Sequence, residues 1–220
     1  MLKPSLEEVK ALAKQYNTIP VFYEFSADNQ TPLNIYTALS KDSRNSFILE
    51  SVSNGVQWDR YSFVGVSPKE EICITGNTAE IRTGDKIETK EVEQPIAFLK
   101  ERMAAYRSPV LEGAPNFTGG LIGYFGYDTV RYMEKKLTHV PEDDIHMPDC
   151  HLFLYEELLA YDHLTSNGIV ILNLHTDGDL GAQYAAAQWR AEELADIVRH
   201  YNPQPQVRQH HGESVVRSNL

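Results

Sequence analysis

The chain has 220 residues, 42% of them apolar and 23% charged, with 31 acidic side chains against 20 basic ones and a formal net charge of −11. This is the composition of a soluble globular protein with a sizeable core in one large or two small domains, and its acidic balance argues against nonspecific binding to nucleic acid or to an anionic membrane, both of which need basic patches. No run of about 18 apolar residues is present to span a bilayer and the charged N-terminus lacks the apolar core of a secretion signal, so the expectation is a cytoplasmic protein whose two cysteines, Cys73 and Cys150, are reduced and buried rather than bridged.

Ser5 followed by Glu8 has capping-box spacing, and Leu6, Val9, Leu12 and Ala13 share a helical face, which predicts a helix over 5–16. Ile19 to Phe25 reads as a strand. Thr31 and Pro32 open a second helix that runs to about Lys41. Phe47 to Val52 and Arg60 to Val66 then read as two strands joined by a loop, rich in β-branched and aromatic residues. Glu50 and Ser51 are the oddity here. A carboxylate and a hydroxyl directly follow an apolar run, and they need partners wherever they are buried. Either the strand end emerges into water there or it forms part of a binding site.

Three short strands follow, Glu70 to Thr75, Thr78 to Thr83 and Lys86 to Glu91, separated by Gly76-Asn77 and Gly84-Asp85, and they predict a meander. Pro95 to Tyr106 returns to helix. In Phe117 to Asp128, glycines stand at 119, 120, 123 and 126. Their spacing does not match a dinucleotide fingerprint. Glycine within a strand marks close approach of another backbone, so 119–125 is expected to be a tightly packed central strand. A short helical turn follows from Tyr127 to Met133, then a loop over 137–148. One long strand, His151 to Asp162, is expected to pair as a hairpin with Gly168 to His175. Asp179 caps a last helix through about Tyr201, and a polar tail ends the chain.

Mixed helices, hairpins and meanders without regular strand–helix alternation predict an α+β fold, with mainly antiparallel sheets packed by helices. No nucleophile elbow, phosphate loop, zinc or calcium motif is present. Glu156 and Glu157 are adjacent in a strand and face opposite ways, so they cannot share a substrate. Asp162-His163, at a hairpin turn, reads as a solvated pair.

Several stretches together carry a resemblance. Ile19-Pro20, Thr31-Pro32, Phe47-Ile48-Leu49-Glu50-Ser51, Arg60-Tyr61-Ser62-Phe63-Val64-Gly65, Phe117 with Gly119-Gly120, Gly123-Tyr124 with Tyr127-Asp128, and Ala160-Tyr161-Asp162-His163 stand in the order and spacing found in the N-terminal region of anthranilate synthase component I. The sequence resembles that family over nearly its whole length. Related chorismate-using enzymes, including aminodeoxychorismate synthase component I, share the architecture, but the Leu-Glu-Ser and Arg-Tyr-Ser-Phe pieces look like the anthranilate branch.

The resemblance implies a reaction in which chorismate and ammonia drawn from glutamine give anthranilate and pyruvate, with Mg²⁺ holding chorismate. It also implies feedback inhibition by L-tryptophan at a pocket that includes Ser51, with Glu50 and Leu49 beside it and Arg60 to Ser62 buttressing it from the neighbouring strand. Glu50 is then expected at a bulge or in contact with Arg60. Partners implied are the chain's own C-terminal catalytic domain and a glutamine amidotransferase subunit, component II. Catalytic and Mg²⁺-binding residues belong to that C-terminal region, so none is expected here. Residues 1–202 are expected to form the regulatory and scaffold domain, and 203–220 the linker and start of the catalytic domain, at Ser218-Asn219. A stand-alone amino-acid-sensing or interaction module is the alternative from a different class.

Overall fold

The computed structural model describes residues 1–50, 60–134, 136–137 and 146–203. Among the described residues, ten strands form two five-stranded sheets, with every strand pairing antiparallel. The fold is therefore α+β, as the mixed element order requires.

The first sheet orders its strands β1 (Thr18–Ser26), β10 (Asn167–His175), β9 (Glu157–Asp162), β3 (Tyr61–Val66) and β2 (Ser46–Leu49). One face carries Ile19, Val21, Val170, Leu172, Leu159, Val64 and Val66, and it is covered by α1 (Leu6–Leu12), α2 (Pro32–Leu39) and α4 (Leu180–Arg199). Burying each large aliphatic side chain there contributes about 1.5–3 kcal/mol. The caps read from the sequence are in place. Ser5 and Glu8 close a capping box, Thr31 accepts from the Asn34 N–H, and Asp179 accepts from Gly181 and Ala182. The first helix stops at Leu12, short of the expected Tyr16, and the chain turns towards the edge of the sheet.

The second sheet runs β6 (Lys86–Glu91), β5 (Thr78–Thr83), β4 (Glu70–Thr75), β8 (Cys150–Tyr155) and β7 (Gly120–Phe125). The meander has the boundaries read from its turn dipeptides. Helix α3 (Pro95–Ala104) covers one face, where Phe98 and Leu99 meet Ile72, Ile74, Ile81 and Leu152. The β7–β8 end packs through Ile122, Phe153 and Tyr155 against the other face of the first sheet, at Phe47, Phe63, Leu158 and Ile171. The two sheets thus share a core.

Two expectations are corrected. Residues 151–162 are not one strand. They form β8 in one sheet and β9 in the other, with the change at Glu156, whose carbonyl accepts from the backbone N–H and the side-chain amide of Asn173 on β10. Its companion β3 makes the same crossing into β4 over 67–69, so the β3–β4 and β9–β8 ribbon passes between sheets as a unit. The glycine-rich strand β7 is an edge strand, not a central one. The tight packing is nevertheless there, because a Cβ at Gly123 would overlap the carbonyl of His151 on β8.

Cys73 and Cys150 are both free. Cys150 is buried and Cys73 half-buried. Burial, with Asp149 beside it, pushes the Cys150 thiol up to about 11, so it is no nucleophile at neutral pH. No helix among the described residues is long and apolar enough to cross a membrane. Of the tail expected as a linker, residues 204–220 lie outside the described residues.

Candidate functional site at the end of the first sheet

Strand β2 carries the Phe47-Ile48-Leu49 run and ends at Leu49, which pairs with Phe63 of β3. Phe47 lies opposite Gly65, and its ring occupies the space a side chain at 65 would need, so the glycine lets the aromatic lie flat on the neighbouring strand. Phe47 then meets Tyr155 edge-on at 4.7 Å, which anchors β2 to the shared core. Leu49 and Glu50 are exposed, just beyond that anchor. Ser51, the leading candidate, lies outside the described residues, as does the rest of 51–59. What the structure places is the frame on both sides of that segment.

The far side of the frame is Arg60. Among the described residues its ion pair is with Asp162, not with Glu50 as one expectation had it. Its guanidinium makes a two-pronged bond to Asp162, Nε to Oδ1 at 3.0 Å and Nη2 to Oδ2 at 2.7 Å. The Arg60 carbonyl also accepts from the His163 N–H at 2.9 Å, and Asp162 Oδ1 accepts from the Leu164 N–H at 3.0 Å. Asp162 is only 2% exposed. Burial alone would raise its pKa, but the Arg60 guanidinium, the Leu164 N–H and the Thr165 hydroxyl outweigh it and hold the carboxyl below its ordinary value. Next along, the buried Ser62 hydroxyl lies 2.8 Å from His163 Nε2. Asp162, read from sequence as one of a solvated pair, is thus the buried anchor of this corner, while its neighbour His163 is exposed. Their partners, Arg60 and Ser62, lie 102 and 101 residues away, and no local pattern pointed to them.

Around this polar anchor, half-buried aromatic rings form a wall. Arg60 lies over the Tyr61 ring at 5.0 Å, Tyr61 is 6.2 Å from Phe63, and Phe63 meets Phe117 edge-on at 5.5 Å. Leu49 pairs across from Phe63 on the same face of the sheet. Among the described residues no group of three or more His, Cys, Asp or Glu side chains is placed to hold a metal ion.

Residues 45–218 match the family model for chorismate binding enzymes. This chain belongs to that family. Anthranilate synthase component 1 of Acetivibrio thermocellus is 38% identical over 187 residues, covering 85% of this chain and 37% of that protein. Its counterpart in Pseudomonas aeruginosa is 37% identical over 196 residues, covering 88% and 39%. The chloroplastic anthranilate synthase alpha subunit 2 of Arabidopsis thaliana is 34% identical over 208 residues, covering 88% and 34%. Among solved structures, anthranilate synthase component I from Streptococcus pneumoniae is similar, with a TM-score of 0.48, 26% identity and coverage of 80% of this chain and 36% of that one. The chain therefore spans less than two fifths of the length of these relatives, within a family whose other members include the components named here.

Proposed function

We propose that this chain is the regulatory and scaffold portion of an anthranilate synthase component I. The whole protein would convert chorismate, with ammonia drawn from glutamine by a component II partner, to anthranilate and pyruvate in the cytoplasm, as the first step of tryptophan biosynthesis. On this reading the catalytic residues and the Mg²⁺ that holds chorismate belong to the length the relatives carry beyond this chain. The observation that carries the reading is the similarity of 85–88% of the chain to proteins named anthranilate synthase component 1.

The corner at Leu49 and Glu50, continued by Ser51, is proposed as part of the L-tryptophan feedback site. In support, the frame around it is rigid where it must be. The Phe47 ring anchors one side and the Arg60–Asp162 pair anchors the other. Feedback inhibition requires that tryptophan bind two states of the whole subunit with different affinity. A portion that holds only part of the pocket has no second state to select.

The test uses the full-length subunit with component II. Ser51→Phe is expected to leave turnover of chorismate within about threefold of wild type and to abolish inhibition by tryptophan. Unchanged inhibition would remove Ser51 from the effector site. Formation of aminodeoxychorismate in place of anthranilate would move the protein to the folate branch. Residues 1–220 alone are expected to bind tryptophan weakly or not at all in titration calorimetry, and micromolar affinity there would show that the pocket is complete within this chain.

A further inference from the structure

A second polar site lies at the opposite end of the first sheet, where the two sheets meet. Thr18 opens β1 and is 3% exposed, and its hydroxyl oxygen has no hydrogen-bond partner. An orphaned buried hydroxyl costs about 1–3 kcal/mol, so native structures rarely keep one without a reason. Thr18 lines a cavity of about 50 Å³ together with Gly119, Tyr155, Glu156 and Asn173. That volume exceeds what one water needs and is far below what an organic ligand takes.

Met103, Tyr106 and Leu154 give the cavity an apolar side, and the polar groups lie together around Asn173. Asn173 spends its two side-chain protons on the carbonyls of Thr118, at 2.6 Å, and Glu156, at 2.9 Å. Each carbonyl has two lone pairs, so the Thr118 oxygen can accept a further bond. The Asn173 amide nitrogen also lines the space and disfavours a cation there. A ligand that fits must be neutral, very small, and able both to donate to a carbonyl and to bond a hydroxyl. The glycine at 119 keeps this room open, since a Cβ there would lie 2.9 Å from Asn173 Nδ2 and 3.0 Å from the Tyr155 carbonyl.

We propose that this seam is a binding site for internal water, in which one or two waters bridge the Thr18 hydroxyl of the first sheet to the Thr118 carbonyl that leads into β7. The Gly119 position then serves a seam between sheets, not a phosphate. The site does not depend on the regulatory reading above.

Thr18→Val keeps the side-chain shape and removes the hydroxyl. If water is held there, the midpoint of thermal unfolding of the chain falls by about 2–4 °C, while Thr18→Ser stays closer to wild type than valine does. A valine variant as stable as wild type, or more so, would overturn the proposal, because it would mean the hydroxyl is an orphan that nothing satisfies. An independent measurement on the unmodified chain is the water–protein NOE to the Asn173 side-chain amide and the Gly119 amide. Long-lived water cross-peaks are expected, and their absence would overturn the site. Stabilisation by potassium chloride over sodium chloride that is lost in Thr18→Val would also overturn it, by making the occupant a monovalent cation.

Discussion

Asp162 shows how one buried side chain can anchor a site whose ligand-facing residues are exposed. Its carboxyl is held below its ordinary value, so it binds a proton less readily folded than unfolded. The stability it supplies is present above the unfolded-state value, about 3.9, and is lost as pH falls through the lower folded value. Asp162→Asn keeps the shape and removes the charge from the two-pronged bond with Arg60. At pH 7 it is expected to cost about 2 kcal/mol, read as a drop of several degrees in the unfolding midpoint. As pH falls through the lowered folded value the variant and wild type should converge, since both then carry a neutral group at 162. A deficit that does not shrink at all between pH 7 and the acid limit of folding would mean that Asp162 acts through shape and not through its charge. Because Arg60 is 47% exposed, solvent screens this pair, and the full penalty of a deeply buried broken ion pair does not apply.

Among the elements, the edge strand β7 has the most demanding local requirement. Gly123 lies so close to β8 that any side chain would strike the His151 carbonyl, and backbone cannot give way as a flexible side chain can. Gly123→Ala should therefore loosen the β7–β8 pairing. Hydrogen exchange should show at least a tenfold loss of protection for amides of 120–125, about 1.4 kcal/mol of local stability, with β1 and β10 unchanged. Equal loss in both sheets would mean that β7 is not a separable edge but a keystone of the whole fold. The two edges of this sheet also differ. β6 is fully exposed and alternates Lys86, Glu88 and Lys90 with its other residues, the charged pattern that discourages a further strand, whereas β7 has no charged residue.

For the whole molecule, the ribbon of β3–β4 beside β9–β8 passes through both sheets, and the cluster of Phe47, Phe63, Tyr155, Leu158 and Phe153 belongs to both. Neither sheet can unfold without exposing this shared core. Thermal unfolding is therefore expected as one transition, with far-ultraviolet and near-ultraviolet circular dichroism giving the same midpoint. Two resolved transitions would show that the sheets are independent units.

The sequence by itself determined what local chemistry controls. Capping residues, turn dipeptides and two-residue alternation set the helix starts, the meander and the hairpin of β9 with β10, because each depends on residues within a few positions of one another. It also singled out Glu50-Ser51 and the glycines at 119, 120, 123 and 126 as places where side-chain chemistry and backbone pattern disagree. It read 151–162 as unbroken because that run contains no glycine or proline. The change of sheet at Glu156 shows only in the partners, β4 and β7 before it and β10 and β3 after it. It read Asp162-His163 as solvated because their partners lie about a hundred residues earlier. Which sheet a strand joins, which strand becomes an edge, and which carboxylate is buried against which guanidinium were decided only by the tertiary structure, since each depends on contacts between segments whose separation no local pattern encodes.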